Sequence, residues 1–393
     1  MEDPQSKPTV WQKIKAVLSY IFIDGLGGMA IGLFCTLIIG TIIGQVGTLI
    51  GSANIIGYSL ILIGNFAKIL MGAGIGIGMA YKLKKDPLVS VSAGVSGMVG
   101  AYASQILAAF FKGLSVNPVL VSKIFITFQT TGEMTELLPS TYTVLASVGE
   151  PLGAFIAAFV ALEIGSLVSK KTPVDIIVTP IVAILSGSTI GLLVGPPISA
   201  FMTFIGSVIN AAAEQQPILM GILVAVLMGI ALTLPISSAA IGVMLKLSGV
   251  AAGAAVVGCC CQMVGFAVMS FKENKWGGLA AQGLGTSMLQ MPNLVKHPVC
   301  WLPPVIASAV IGPFAATLGG IVSTPVGSGM GTAGLVGPIE TFSAMLEAGH
   351  EWWSALLLIL LFCMVLPAAV TLGISLIFRK TNLIKDGDLK LEL

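Results

Sequence analysis

The sequence predicts an all-α membrane protein that crosses the bilayer many times. Hydrophobic residues make up 56% of the 393 residues and charged residues only 9%, with a mean hydropathy of +1.01, whereas about 25% of a soluble domain is charged. Several apolar stretches reach the roughly 20 residues that a helix needs to cross about 30 Å of hydrocarbon. None alternates with the period of two expected of a membrane β-barrel strand. We therefore predict a polytopic helical architecture.

The chain divides into apolar stretches that we predict to be membrane spans and two stretches that are too interrupted to be ordinary spans. Trp11, Lys13 and Lys15 mark the interfacial start of the first span. No small-residue cleavage site follows that span, so we expect no removed signal peptide. The predicted spans lie near residues 17–50, 55–81, 87–111, 142–168, 174–208, 217–245, 248–271, 299–322 and 352–378. The interrupted stretches are 276–297 and 323–346.

Glycine, present 48 times, is concentrated inside the predicted spans, as in GMAIGLF, MGAGIGIGMA and SAGVSGMVGA. Small residues at helical spacing let helix backbones approach closely in lipid, so we interpret most of these glycines as packing positions. The GxGxG pattern in MGAGIGIGM lies within a span and has no βαβ unit around it. It therefore does not indicate a nucleotide site.

Basic residues follow the second, fourth and last predicted spans and set the expected orientation. They place both termini in the cytoplasm and leave Glu214, Glu347 and Glu351 on the opposite side. Between Lys246 and residue 345 the charges do not decide the topology. The basic residues used are Lys7, Lys13, Lys15, Lys82, Lys84, Lys85, Lys170, Lys171, Arg379, Lys380, Lys385 and Lys390.

Composition and motifs argue against several classes of function. The net charge is only +2 and forms no basic face, so nucleic acid is not an expected partner. His297 and His350 lack the spacing of a metal site, and three adjacent cysteines, Cys259 to Cys261, point in different directions on a helix. Hydrolase, zinc and Walker motifs are absent from the sequence. We predict no enzyme activity, no catalytic residue, no cofactor and no metal.

Four charged residues fall inside or at the ends of predicted spans: Asp24, Lys68, Glu150 and Glu163. A charge at the bilayer centre costs at least about 2.5–3.5 kcal/mol on insertion scales, so Lys68 should pair with one of the three carboxylates. Such a pair would serve as a proton or ion relay or would lock helices together, and the sequence leaves both open. Glu150 precedes Pro151 at the start of a span, which favours a capping role.

The interrupted stretches, named here hairpin 1 (276–297) and hairpin 2 (323–346), are predicted to be re-entrant hairpins. Lipid cannot satisfy non-helical backbone, so such segments must be enclosed by protein or line a watery cavity. Two of them in one half of a chain are typical of a solute site near the bilayer midplane, and extracytoplasmic loops are the alternative. The predicted solute-binding residues are Thr286, Ser287, Gln290, Asn293 and His297 of hairpin 1, Ser328, Thr332 and Glu340 of hairpin 2, and Ser237 and Ser238.

Three stretches resemble the membrane subunit, enzyme IIC, of the bacterial sugar phosphotransferase system, in its glucose, lactose and chitobiose superfamily. MGAGIGIGMAYKLKKDPLVSVSAGVSGMVGA is similar to the family's glycine-rich span, charged turn and small-residue span. VKHPVCWLPPVIASAVIGP is similar to its segment after the first hairpin, and GHEWWSALLLILLFCMVLPAAVTLGISLIFRK to its closing helix. The likeness covers most of the chain.

The resemblance implies a homodimer of about ten spans per subunit in the bacterial cytoplasmic (inner) membrane. Residues 1–212 would form the scaffold and dimerisation domain. Residues 213–393 would form a transport domain that carries both hairpins and moves as an elevator. The family also works with separate cytoplasmic phosphotransferase proteins, which are therefore expected partners, as are regulatory proteins.

The sequence departs from the family where the family holds its sugar. The family places a glutamate-proline pair in the first hairpin, where this chain reads Gly285, Thr286 and Ser287. It places a histidine in the preceding span, where this chain reads LTLPISSAAIGVML. The coupled phosphorylation typical of the family is therefore not expected. This pattern is most similar to the perfringolysin O regulator-like subfamily.

Two hypotheses of function follow. The favoured one is an elevator permease for a small polar solute, and the alternative is a membrane sensor that keeps the permease fold and signals to a cytoplasmic partner. Hydroxyl and amide side chains suit a sugar or polyol, whereas Lys296, His297 and hairpin N-termini would suit an anionic acid. The sequence leaves the identity of the solute open.

Overall fold

The computed structural model describes residues 16–51, 53–108 and 149–391. Apart from one isolated bridge, the regular structure in these residues is helical. An isolated antiparallel bridge joins Gly249 to Ser323. Six helical segments of this part of the chain are long and apolar enough to cross a membrane, and a bent pair makes a seventh if it forms one span. The predicted fold class, a polytopic helical membrane protein, is confirmed.

The N-terminal half begins with a 35-residue helix that contains two π-helical turns, Tyr20–Gly25 and Phe34–Ile38. The next two helices meet at Leu70 with a bend of 56°. Residues 103–108 continue beyond the fourth helix as a further helical piece. The helices are α1 (Ala16–Ile50), α2 (Ile55–Ile69), α3 (Met71–Lys82), α4 (Pro87–Ala101), α5 (Pro151–Val168) and α6 (Asp175–Ala213).

Glycine brings these helices into backbone contact. A Cβ placed on Gly32 of α1 would lie 2.0 Å from the carbonyl oxygen of Gly74 on α3, and one placed on Gly100 of α4 would lie 2.3 Å from that of Gly153 on α5. Neither position has room for a side chain. The packing role predicted for the span glycines is confirmed at these positions.

The C-terminal half is arranged around one buried helix. This helix, α9, is 89% buried over its most apolar 18 residues and packs against α7, α12 and α14. It carries Cys259, Cys260 and Cys261, which are buried free thiols, as expected of packing residues. The helices are α7 (Pro217–Thr233), α8 (Ser238–Met244), α9 (Gly249–Met269), α10 (Phe271–Ala280), α11 (Met291–Lys296), α12 (Leu302–Thr317), α13 (Val336–Glu347) and α14 (Trp352–Lys380).

Several predicted spans differ from the helices observed. The span predicted at 217–245 is two helices, because Pro235 cannot donate a helical hydrogen bond and the chain turns between Thr233 and Ser238. The span predicted at 299–322 ends its helix at Thr317, shortly before Gly320 turns with φ +53°. Residues 109–148, which include parts of two predicted spans, lie outside the described residues, as do the interfacial residues Trp11, Lys13 and Lys15.

The C-terminal tail, residues 384–391, folds back onto the body of the protein. Ile384 and Leu389 are fully buried. Arg379, at the end of α14, donates hydrogen bonds to Glu273 at 2.7 Å and to Asp386 at 2.8 Å. The tail is therefore an ordered part of the fold that packs beside hairpin 1.

Candidate functional site

Hairpin 1 is a helix that stops and starts again. After α10, a π-helical turn over Ala281–Gly285 leads to Thr286, which is extended with φ −159° and ψ 142°. The Thr286 hydroxyl accepts a hydrogen bond from the backbone N–H of Met288 at 3.1 Å and so caps the short 3-10 turn that follows. The broken backbone predicted here is confirmed, whereas re-entry from one face of the membrane stays a prediction.

Hairpin 2 is irregular until α13 begins at Val336. Only 3-10 turns, Gly327–Gly329 and Ala333–Leu335, interrupt the loop. Gly331 and Gly334 have φ of +51° and +53°, a region that glycine adopts at little cost because it lacks a Cβ. This explains the glycines at these two positions of SGMGTAGLVG.

Helix α9 lies between the two hairpins. The Thr332 hydroxyl of hairpin 2 contacts the Met263 sulfur at 3.6 Å, and the Cys259 thiol contacts the carbonyl oxygen of Ser328 at 3.7 Å. Gln262, on the same turn of α9, is linked to Ser287 of hairpin 1 through Thr233. One turn of α9 therefore contacts hairpin 2 directly and is linked to hairpin 1 through Thr233.

A buried polar cluster, the Gln262 cluster, joins hairpin 1 to the bundle. It consists of Thr233 at the end of α7, Gln262, Ser287 and Trp301. The hydroxyls of Thr233 and Ser287 are 2.8 Å apart. The Gln262 side-chain oxygen accepts hydrogen bonds from Thr233 at 3.3 Å and from the Trp301 indole N–H at 3.0 Å. Three of the four residues are fully buried, namely Thr233, Gln262 and Ser287.

The polar residues of hairpin 2 form a second cluster. The Thr324 hydroxyl donates to the Glu340 carboxylate at 2.6 Å and accepts from the Gly327 N–H at 3.2 Å. Ser238, at the start of α8, donates to the carbonyl oxygen of Gly329 at 2.7 Å. The structure thus joins Ser238 to Gly329, the residue after Ser328, and holds Glu340 against Thr324.

The predicted residues on the far side of hairpin 1 contact the C-terminal tail. The Gln290 amide donates to the carbonyl oxygen of Leu389 at 3.1 Å, and the Asn293 amide donates to that of Lys390 at 3.0 Å. His297 lies 3.6 Å from the Asp388 carboxylate. Gln290, Asn293 and His297 therefore contact the tail, whereas Ser287 contacts Thr233 of α7, although the sequence places them in one site.

The tips of both hairpins reach α1 at neighbouring turns. A Cβ placed on Gly285 would lie 2.6 Å from the Phe34 ring, and one placed on Gly334 would lie 3.0 Å from Thr41. The two tips also contact each other. Thr286, Ser287, Thr332 and Thr41 are all buried near this junction. The junction combines hydroxyl side chains with irregular backbone, which is the composition expected of a site for a polar solute.

The expected pairing of Lys68 is not formed. The Glu163 carboxylate instead forms an ion pair with the Lys85 ammonium at 2.9 Å and accepts a hydrogen bond from the Tyr20 hydroxyl at 2.7 Å. Among the described residues, no carboxylate lies within 4.0 Å of the Lys68 ammonium, and Asp24 likewise makes no ion pair in that part of the chain. The charge on α2 is only partly buried, so its aliphatic stem can carry it toward water.

Glu150 stands at the N-cap position of α5, but its side chain makes no capping hydrogen bond. Its carboxylate accepts a hydrogen bond from the backbone N–H of Ser237, in the break between α7 and α8. The predicted position at the start of α5 is confirmed, whereas a capping hydrogen bond is not formed. This hydrogen bond to Ser237 joins the two halves of the chain at the turn after Pro235.

Comparison with known proteins decides the family. The sequence matches the model of the phosphotransferase system EIIC family over residues 23–391, which is nearly the whole chain. The chain belongs to this family. EIIC proteins are the membrane permease subunits of that system, so this protein is a membrane sugar-transport component. No curated protein matches the sequence.

Sequence reasoning missed Thr233, Gln262 and Trp301 of this EIIC protein. Gln262 did leave a signal, because a lone amide in the apolar run VVGCCCQMVGF has to find partners inside the protein. Thr233 and Trp301 left none, since each ends or begins an apolar segment where such residues are common. Only the packing of α7, α9 and the turn before α12 brings them together.

Proposed function

We propose that this EIIC protein is an elevator-type permease for a small polar solute, a sugar or a related compound. The observation that carries the proposal is the meeting of both hairpin tips on α1, with Gly285 against Phe34 and Gly334 against Thr41. The solute would bind at this junction, between the hydroxyls of Thr286, Ser287 and Thr332. In the proposed elevator, the hairpins would slide along α1, which belongs to the scaffold, and would carry the site from one side of the membrane to the other.

The other predicted site residues take supporting roles in this proposal. Ser237, Ser238, Ser328 and Glu340 would fix the base of hairpin 2, where the hydrogen bonds from Ser238 to Gly329 and from Thr324 to Glu340 support such a role. Gln290, Asn293 and His297 would hold the C-terminal tail. The proposed moving part is residues 213–393 and the proposed scaffold is residues 1–212, in a homodimer.

We further propose that the chain belongs to the perfringolysin O regulator-like subfamily, and that transport proceeds without the coupled phosphorylation typical of the wider family. The tip of hairpin 1 reads Gly285, Thr286 and Ser287, which supply hydroxyls but no carboxylate or imidazole. His297 faces the Asp388 carboxylate. The chemical state of the sugar recovered from loaded vesicles tests this point, since unmodified sugar is expected.

A cross-link tests the elevator. A Cβ at Gly285 would lie 3.5 Å from the Ile38 side chain, so the variant pair Gly285→Cys and Ile38→Cys should be joined by a short thiol cross-linker. We expect the link to stop uptake into proteoliposomes and a reducing agent to restore it. The matched control is Gly265→Cys with Thr371→Cys, whose Cβ atoms would be 3.2 Å apart inside the proposed moving part. Uptake that survives the first link would refute the elevator.

A sugar panel tests transport against the sensor alternative. The purified protein, reconstituted without other proteins, is expected to take up at least one sugar or polyol that also raises its thermal midpoint. A ligand at about 100 times its dissociation constant stabilises the folded state by roughly 2.7 kcal/mol, which is readily measured. Stabilisation without uptake would support the sensor and contradict the permease.

A further inference from the structure

The Gln262 cluster is assembled from parts of the chain that are far apart in sequence. Thr233 ends α7, Gln262 lies in the middle of α9, Ser287 belongs to hairpin 1 and Trp301 precedes α12. The side chains of Thr233, Gln262 and Ser287 are fully buried. A polar group in such surroundings costs free energy unless it is hydrogen-bonded. Each buried polar atom of the cluster is therefore expected to have a hydrogen-bond partner.

The orientation of the Gln262 amide is fixed by Trp301. An indole N–H only donates, so the atom 3.0 Å from it must be the amide oxygen. Exchanging the oxygen and the nitrogen would place two donors against each other and would also turn the nitrogen toward the Thr233 hydroxyl. The amide nitrogen therefore points away from both contacts.

That nitrogen is buried without a hydrogen-bond acceptor among the described residues. An unsatisfied buried donor costs about 1–3 kcal/mol. A methionine at position 262 would fill a similar volume without this cost, and α9 does carry a methionine at the next position, Met263. An acceptor for Trp301 explains the oxygen of Gln262 but not its nitrogen.

The position of Gln262 connects this donor to the proposed solute site. The cluster reaches Ser287, which adjoins Thr286 at the tip of hairpin 1. The next residue along α9, Met263, contacts Thr332 of hairpin 2. Gln262 is therefore held between the elements whose tips meet on α1.

We propose that the Gln262 side-chain nitrogen donates a hydrogen bond to a hydroxyl oxygen of the bound solute and so determines which hydroxyl pattern is accepted. The inference rests on the proposed function. It names a residue that would bind an uncharged, polyhydroxylated solute and distinguish it from others by the positions of its hydroxyls. The amide oxygen, held by Trp301 and Thr233, keeps the nitrogen in place before the solute arrives. Binding then supplies the acceptor that the buried donor lacks.

The test measures how one solute hydroxyl and Gln262 depend on each other. D-glucose, N-acetyl-D-glucosamine, cellobiose and D-mannitol are first screened by thermal shift on the wild-type protein. The monodeoxy derivatives of the one that binds are then titrated against the wild type and Gln262→Met. In the wild type, loss of one hydroxyl should weaken binding roughly three- to tenfold, the worth of one hydrogen bond. In Gln262→Met, the same derivative and the parent sugar should bind equally.

Gln282→Met is the matched control. Gln282 is also fully buried, but its amide nitrogen donates to Ser270 at 2.8 Å and to Gly278 at 3.0 Å, and its oxygen accepts from Gln290. This variant should lose stability and keep the hydroxyl preference of the wild type. Gln262→Asn, which draws the nitrogen back by one methylene, replaces Gln262→Met if the latter does not fold, and should also flatten the preference.

The outcomes separate the two proposals. A sugar that binds both proteins with the same loss for every deoxy derivative would overturn the role of Gln262 and leave the proposed function standing. A panel in which nothing binds the wild type would overturn the proposed sugar site and the inference with it.

Discussion

Gly253 gives a sharp test of how α9 holds hairpin 2. A Cβ placed on Gly253 would lie 1.8 Å from the carbonyl oxygen of Ile321 and 2.5 Å from its carbonyl carbon. One turn earlier, Gly249 and Ser323 exchange two backbone hydrogen bonds of 3.1 Å. Gly253→Ala therefore presses on the strand-like segment that leads into hairpin 2, and backbone atoms cannot rotate out of the way.

The size of the effect follows from these distances. Real Cβ atoms do not approach closer than 3.0 Å, so α9 and residue 321 must separate by about 1.2 Å. Overpacking of this kind costs typically about 1–3 kcal/mol, and loosening the two bridge hydrogen bonds costs about 1 kcal/mol each. Alanine returns about 1 kcal/mol as a better helix former. We expect a net loss of about 2 kcal/mol or more.

Thermal unfolding of the detergent-solubilised protein measures the change, and Gly373→Ala is the control. Gly373 lies within α14 and has no atom within 4 Å of a placed Cβ. Alanine there should stabilise the helix by about 0.5–1 kcal/mol. The two substitutions are expected to shift the midpoint in opposite directions. A rise or no change for Gly253→Ala would refute the close approach of α9 and hairpin 2.

Three further predictions concern loops and ion pairs. Asn274→Ala removes both hydrogen bonds of Asn274 to the C-terminal tail, 2.8 Å each. Limited proteolysis should therefore cut the tail faster than in the wild type, and an unchanged rate would contradict the packing of the tail against the protein. Glu163→Gln should lower the free energy of unfolding by no more than about 1 kcal/mol because the pair is partly exposed, and should leave the thermal midpoint unchanged in a Lys85→Met background. The Lys170 ammonium lowers the pKa of Asp86 in the loop before α4, so the stability that Asp86 adds over Asp86→Asn should be present above about pH 4 and be lost as the pH falls further. A gap in midpoint that ignores pH would refute that contribution.

The two broken segments could be located from the sequence, but their contacts could not be predicted from it. The glycines and prolines of 276–297 and 323–346 predicted interrupted helices, and the helical structure is interrupted in both segments. The sequence could not divide hairpin 1 between its two sides. Thr286 and Gln290 are four residues apart, yet one lies near the tip and the other contacts the carbonyl oxygen of Leu389. An interrupted helix has no fixed period from which such a division could be predicted.

The charged residues show the same limit. The sequence identified Lys68 as an unusual charge in an apolar span and offered Asp24, Glu150 and Glu163 as its partners, whereas Glu163 pairs with Lys85. Pairing depends on which helix faces lie together, and in lipid those faces are selected by close backbone contacts such as Gly32 with Gly74. Periodicity alone does not contain that choice.

The sequence by itself determined that this protein is helical, lies in a membrane, and interrupts its helices in two places. Those properties follow from local physics, since apolar length and backbone-breaking residues act within one segment. Only the tertiary structure decided which polar atoms meet. The packing of α9 against the turn before α12 makes the Gln262 oxygen an acceptor for Trp301 and leaves its nitrogen without a hydrogen-bond partner in the described part of the chain. Such contacts join residues many positions apart, so they exist only after the chain has folded.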